Sequence, residues 1–210
     1  MWHAVVVTVR KYEQRIRAEN AEETRRRILD AFADQLREAP TEPVSLDQVA
    51  KRARVARSTI YTGFGSRAGL FDAFIEDLWS RTGLSDLTAA VANPDARLHL
   101  RNGITAAARM YANDLSVYRV LFSLGRLDPD AVGGALVKME EERAGGMAYL
   151  ARRMSETGIL RVDVSVEQAA DMLWVFCSFE AFDTLYSVRG LSFDASVDLL
   201  VTMAERSLLV

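Results

Sequence analysis

The chain has 210 residues, 50% hydrophobic and 26% charged, with one cysteine, two histidines and a net charge of −3. This mix excludes a disordered chain, a collagen-like repeat and a disulfide-stapled miniprotein, and a chain of this length buries roughly 70% of its unfolded surface in one or two domains. Cys177 has no second cysteine to pair with, and two histidines and one thiol leave little for a metal site, so neither metal nor cofactor is expected. No stretch reaches the ~18 apolar residues of a membrane span. The opening run from Met1 to Val9 is apolar, but it lacks a preceding basic region and a following small-residue cleavage site, so it is not a signal peptide. The default expectation is a cytoplasmic protein. The run itself reads as a strand, a disordered extension or translation from a wrongly chosen start.

Charge is distributed unevenly. Residues 1–70 hold 13 Lys/Arg and 9 Asp/Glu, whereas residues 71–210 hold 13 and 20. Between Gln48 and Phe71 stand Lys51, Arg52, Arg54, Arg57 and Arg67 with no acidic residue among them. A fixed positive block beside an acidic remainder fits one end built for a polyanion, with a solvated surface as the plainer alternative.

The first predicted helix carries Ile28, Phe32, Leu36 and Ala39 on one stripe, starts at an Asn20–Glu23 cap signal and stops at Pro40 and Pro43. Ser45 with Gln48 predicts a capping box for a second helix, on which Leu46, Val49, Ala50 and Ala53 share a face. After a break around Arg54-Val55-Ala56, a third helix runs from Arg57 to Phe64 with Val55, Ile60 and Phe64 inward. Ser66 caps a fourth, whose apolar face is Leu70, Phe71, Phe74, Ile75 and Leu78. Beyond Gly83, periodicity and turn signals predict helices at about 94–113, 115–125, 130–157, 165–188 and 193–208, with an extended link at 159–164. The helix near 166–188 is apolar nearly all round, so part of its burial falls to a second subunit.

Two short helices at 45–53 and 57–64 joined by a tight turn match a helix-turn-helix. Packing of the second helix on the first leaves Arg57, Ser58, Tyr61 and Thr62 on the outer face of the third. Such a helix fits the major groove. Arg57 is placed to read guanine, and the hydroxyls of Ser58, Thr59, Tyr61 and Thr62 suit phosphates and base edges. The first turns of the second and fourth helices offer free N–H groups to phosphate.

The run from Ser45 to Phe71, with Thr24-Arg25-Arg26-Arg27-Ile28-Leu29-Asp30-Ala31 before it, resembles the DNA-binding domain of the TetR family of transcriptional repressors. The resemblance covers about residues 20–78 and rests on spacing, apolar anchors and the Thr-x-Tyr-x-x-Phe core together. It implies an all-α protein: an N-terminal three-helix helix-turn-helix domain followed by a larger helical ligand-binding and dimerisation domain. The expected boundaries are 1–19 for a disordered N-terminal extension, 20–66 for the DNA-binding domain and 67–210 for the remainder. It places Arg57, Thr59, Tyr61 and Thr62 against double-stranded DNA, with Thr24, Arg25, Ser45 and Arg67 on phosphates. For Tyr61, packing against the first helix is the competing reading, and for Arg67 a plain surface charge. Arg10, Lys11, Arg15 and Arg17 fit either a minor-groove arm or a solvated tail. The chain departs from the family pattern at Pro40 and Arg54, where glycine is usual, and at Ala56, where a capping Ser is usual. It departs also at Gly63, which removes a phosphate contact, and at Ala68 in place of an acidic residue.

For the larger part, the resemblance implies a homodimer through the last two helices and a pocket for a small-molecule effector. Trp79, Met110, Tyr111, Tyr118, Phe122, Met139, Met147, Trp174 and Cys177 are its candidates, with core packing the competing reading of each. Arg143 is a polar candidate, and the aromatic and methionine content points to an apolar or aromatic effector. Glu180 and Asp183 lie three apart in an apolar helix and need partners, either a ligand cation or an arginine across the dimer, unless they sit at a partly exposed edge of the dimer interface. His3 and His99 belong to no catalytic motif, and no phosphate loop or HExxH is present, so an enzyme is not expected. The functional expectation is a ligand-responsive repressor that binds a near-palindromic operator as a homodimer and is released by its effector. The alternative is a helical ligand-binding or scaffold protein whose DNA-binding head no longer works.

Overall fold

The structure, a computed structural model, describes the backbone of residues 2–129, 132 and 134–210, with side chains from Arg15 onward. Among these residues it is all-α, with eleven α-helices and no strand. The chain divides into two compact units, Met1–Phe74 and Ile75–Val210.

In the first unit α1 spans Trp2–Glu38, α2 Leu46–Ala53 and α3 Arg57–Phe64, and α4, Arg67–Thr82, begins there. No Gly or Pro interrupts residues 2–38, so α1 runs straight through Asn20 and does not start there. The strand reading of the Met1–Val9 run falls with the helical backbone from Trp2. The side chains of that run and of Arg10 and Lys11 lie outside the described residues. The stripe Ile28, Phe32 and Leu36 is buried as expected, and Ala39 is half-buried beyond the helix end. Phe32 is fully enclosed, with the Phe71 ring edge-on at 4.7 Å and Phe74 at 5.0 Å. Burying one such ring contributes about 1.5–3 kcal/mol. Leu46, Val49, Ala50 and Ala53 are buried on α2. Ser45 caps α2 by accepting from the Gln48 N–H at 3.4 Å, but the reciprocal bond does not come from Gln48. The Gln35 amide of α1, in the orientation that satisfies both of its atoms, accepts from Ser45 N–H at 2.9 Å and donates to Ser45 C=O at 3.1 Å. The cap of α2 is thereby tied to α1.

In the second unit the order is α5 Leu84–Val91, α6 Ala96–Asn113, α7 Leu115–Leu127, α8 Gly134–Glu156, α9 Val166–Phe176, α10 Phe179–Asp183 and α11 Phe193–Leu208. Helix α5 is unanticipated: it is short, and Gly83 at its start provides no side-chain cap. The helix expected at about 165–188 is broken. Ser178 caps a new start by accepting from Ala181 N–H at 3.1 Å, and a π turn at Thr184–Val188 follows α10. The start of α8 expected at residue 130 lies outside the described residues. Asp95 caps α6 through Arg97 and Leu98 N–H, and Ser165 with Gln168 forms a capping box on α9. The expected extended link at 159–164 pairs with the far end of α11, Arg161 N–H donating to Leu208 C=O at 2.8 Å. Tyr111, Tyr118, Phe122, Phe179 and Phe182 form an aromatic cluster, with Phe122 and Phe179 stacked at 5.1 Å. Tyr118 belongs to this core, its hydroxyl 2.9 Å from Thr82 Oγ1. The predicted all-round burial of 166–188 is incomplete, since Val175 is 57% exposed and Met172, Trp174 and Phe176 are half-buried.

Candidate nucleic-acid interface and cavity

The turn between α2 and α3 is made by Arg54, held at φ 56° and ψ 47°, the one described non-glycine residue with positive φ. Its N–H donates to Lys51 C=O at 3.2 Å and the Val55 N–H donates to Ala50 C=O at 3.0 Å, which closes α2. A side chain in this conformation costs roughly 1–2 kcal/mol, so the turn forms against a local penalty. Ala56 gives α3 no side-chain cap. Of the three anchors expected on α3, Ile60 is fully buried, while Val55 and Phe64 are half-buried. Ser66 caps α4 as expected, its Oγ accepting from the Gly69 N–H at 2.9 Å. At Gly69 the first turn of α4 meets the last carbonyl of α3, and a Cβ built there would lie 2.1 Å from the Phe64 oxygen.

This frame leaves Arg57, Ser58, Tyr61 and Thr62 exposed and Thr59 half-buried on α3. Arg57 Nη1 lies 3.0 Å from Asp47 Oδ2, and its Nη2 donates to the Tyr61 hydroxyl at 3.3 Å. The guanidinium nominated for base reading is thus oriented by a carboxylate on the first turn of α2. Tyr61 is 43% exposed, and its recorded partner is Arg57, not α1. Thr62 Oγ1 donates to Ser58 C=O at 2.9 Å. Thr24 and Arg25 on α1 share one surface hollow with Thr59 and Thr62 on α3, Arg25 lying 4.9 Å over the Phe64 ring. Ser45 is engaged as the α2 cap. Arg67 lies 5.8 Å over Phe71, and its buried Nε has no hydrogen-bond partner among the described residues. Arg15 pairs with Glu19 at 3.4 Å on α1, while Arg17 is exposed. Arg25, Arg26, Lys51, Arg54 and Arg67 carry no ion pair among the described residues.

The second unit holds a cavity of about 220 Å³. Of the sequence candidates, Trp79, Met110, Tyr111, Met139, Arg143, Met147 and Cys177 line it. Phe122 and Trp174 do not; they border a separate hollow of about 580 Å³ that Arg143 also touches. The cavity adds residues that the sequence did not single out: Leu84, Leu87 and Val91 of the unanticipated α5, and His99, Leu100, Gly103 and Ala107 of α6. Arg143 Nε and Nη2 grip Glu140 at 3.3 and 2.9 Å, Nη1 donates to Trp174 C=O at 2.9 Å, and the guanidinium lies 3.5 Å over the Trp174 ring. Tyr111 donates to Cys177 C=O at 3.2 Å, and burial holds its hydroxyl well above the usual tyrosine range. Burial pushes the Cys177 thiol up to about 12, so it stays protonated. His99 is 4% exposed; burial, and then the charge of Arg153, pull its imidazole below the usual histidine range. Arg153 Nη1 lies 3.0 Å from His99 Nδ1, and Nη2 donates to the Asn93 and Pro94 carbonyls at 2.8 and 2.6 Å.

Glu180 and Asp183 find their partners within the chain. Glu180 pairs with Arg126 at 2.6 Å, and Asp183 accepts from Arg119 at 2.7 and 3.0 Å. An arginine from another subunit is not needed, because α7 presents two of its own beside α10.

Residues 28–74 match the sequence model of the family described as bacterial regulatory proteins, tetR family. The chain is 25% identical over 154 residues to the uncharacterized HTH-type transcriptional regulator YdeS of Bacillus subtilis (strain 168), covering 73% of this chain and 75% of that protein. Its fold is similar to that of NalD from Pseudomonas aeruginosa, the secondary repressor of the MexAB-OprM multidrug efflux pump. The TM-score is 0.70 at 21% identity, over 91% of this chain and 98% of that one. A TetR-like transcriptional regulator from Rhodococcus sp. RHA1 gives a TM-score of 0.66 at 19% identity, over 87% of this chain and 94% of that one. Residues 28–74, along α1–α4, thus match the sequence pattern of the tetR family of bacterial regulatory proteins, including the helix-turn-helix at residues 46–64, and the helical fold behind them is similar to that of solved regulators of this kind.

Proposed function

We propose that the protein is a ligand-responsive repressor that binds a near-palindromic operator as a homodimer and is released by a small-molecule effector. The observation that carries the reading is the pairing of two features in one chain. One is an exposed basic face on α2–α3, where the stretch from Gln48 to Phe71 carries five Lys/Arg and no acidic residue; the other is a mostly apolar cavity in the second unit. On this reading the recognition helix α3 lies in the major groove with Arg57 at base edges, and Ser58, Thr59, Tyr61 and Thr62 serve bases and phosphates. Thr24, Arg25, Ser45 and Arg67 sit on phosphates. The apolar side chains Val175, Leu199 and Met203, which are 57%, 39% and 38% exposed, support a dimer face on α9 and α11. A dimer sets two recognition helices about one DNA turn apart. An effector that prefers another spacing of them depopulates the DNA-bound form in proportion to its differential affinity.

The test is fluorescence anisotropy with the DNA upstream of the protein's own gene, at several salt concentrations, beside the Arg57→Ala/Tyr61→Ala variant. A dimer with 6–10 phosphate contacts loses roughly 10³–10⁵ in affinity between 50 and 200 mM salt. Salt-steep binding over scrambled DNA, abolished in the variant, is the expected result. If neither this DNA nor any fragment selected from the genome is bound specifically, the repressor reading fails, and a ligand-binding scaffold with a silent head takes its place.

A further inference from the structure

We infer that the cavity of the second unit takes a small apolar carboxylate whose anionic head accepts a hydrogen bond from His99 Nε2. This rests on the effector-cavity reading above and specifies the ligand's chemistry. An arginine side chain only donates, so at 3.0 Å from Arg153 Nη1 the His99 Nδ1 must be the acceptor, and the imidazole proton resides on Nε2. The ring is 96% buried, and Nε2 makes no hydrogen bond among the described residues. Its Cδ2 edge faces Gly103, where a Cβ built on the glycine would still be 4.0 Å away, and both residues line the cavity. One N–H donor on a buried residue therefore borders the cavity without a partner among the described residues.

The other polar groups around that space are already engaged. Tyr111 donates to Cys177 C=O, Arg143 is neutralised by Glu140, and Glu142 lies 3.8 Å from Lys138. Arg153 differs from Arg143. Its acceptors are two backbone carbonyls and an imidazole, all neutral, and no carboxylate lies within ion-pair distance of it among the described residues. Its positive charge stands directly behind His99, withdraws electron density through Nδ1 and strengthens Nε2–H as a donor. An anionic acceptor makes a charge-assisted bond there and balances Arg153; a neutral acceptor leaves that cation uncompensated, and an ammonium is repelled. Leu84, Leu87, Leu100, Met110 and Leu150 supply an apolar wall for the rest of the ligand. The volume of about 220 Å³ is below the ~300–1,000 Å³ of drug-sized sites, which limits the body to a short alkyl chain or one ring.

The probes are octanoate, methyl octanoate and octylamine, measured by calorimetry on the full chain, with imidazole ¹⁵N spectra recorded in a His3→Gln background that leaves His99 as the single histidine. In the free protein the spectrum should report one neutral tautomer protonated at Nε2. Octanoate should move that Nε2–H resonance and bind at least about tenfold tighter than the ester or the amine. His99→Leu and Arg153→Met should remove the preference for the acid while retaining the ester. Equal binding of acid and ester, tighter binding of the amine, or a preference unchanged in both variants overturns the carboxylate assignment and leaves the cavity reading standing. Binding of none of the three overturns both. The wild-type comparison decides even where a variant does not fold.

Discussion

The two units use arginine differently. In the first, Arg25, Lys51, Arg54 and Arg67 have no carboxylate partner among the described residues, and the Arg57 pair is more than half exposed on both sides. In the second, Arg101, Arg119 and Arg143 lie within 2.7, 2.7 and 2.9 Å of carboxylates that are largely shielded from water. A cation held by an internal carboxylate serves packing and is unavailable to a ligand; a cation left over is available to a polyanion. The first unit leaves its spare charge on the outside, where a phosphate backbone can reach it. In the second, Arg153 is one of the cations without a carboxylate partner among the described residues, and it alone of these is bonded to a side chain that lines the cavity, His99.

The largest effect that tests this division is on the first unit's core. Phe32→Ala should cost about 3–5 kcal/mol in denaturant unfolding, since Phe32 is completely enclosed by Phe71, Phe74 and their neighbours. Next comes a paired measurement. Arg57→Ala should weaken operator binding by about 1–3 kcal/mol in anisotropy, whereas Arg119→Ala, which breaks the grip on Asp183, should leave DNA affinity within about twofold and lower thermal stability instead. Equal losses of DNA affinity in the two variants would break the distinction. Arg54→Gly should raise stability by up to about 1 kcal/mol by releasing the left-handed strain, and flatten the salt dependence of DNA binding by about one charge. Smallest is a pH effect in the second unit. Arg101 and then Arg97 hold the Glu205 carboxyl below the usual range, as Arg119 holds Asp183. A carboxyl depressed in the folded state contributes stability above its unfolded pKa of about 4 and loses it as pH falls through the folded value. The melting temperature should therefore drop on acidification below about pH 4, and Glu205→Gln should shallow that drop.

What the sequence made legible follows the range over which each feature is determined. Ser45, Ser66, Leu46, Val49, Ala50 and Ala53 act within a turn or two of their own helix, so the boundaries of α2, α3 and the start of α4 could be read directly. Asn20 misled because a cap signal has force only where the chain has a reason to stop, and nothing between Trp2 and Glu38 provides one. The break at Cys177–Ser178 was hidden by a continuous apolar run, and Ser178 declares itself as a cap only once Phe179 and Phe182 turn into the aromatic cluster. Most of the cavity was legible as chemistry, in Trp79, Met110, Tyr111 and Met147, but not as a place. His99 was passed over because its meaning depends on Arg153, 54 residues away, and on the two carbonyls that hold that arginine. No local pattern encodes such a relation.

The approach of α4 to α3 at Gly69 has an evolutionary consequence. With 2.1 Å between a built Cβ and the Phe64 oxygen, the clearance at this position is a single hydrogen atom. On the proposed reading, base preference changes by altering Arg57, Ser58 or Tyr61, all of which are exposed on α3. The seat of the helix cannot be altered in the same way, since even a methyl group would lever the Phe64 carbonyl outward and tilt the whole reading face. The exposed side of α3 is therefore free to drift in sequence, while its mount is fixed by the smallest side chain the code offers.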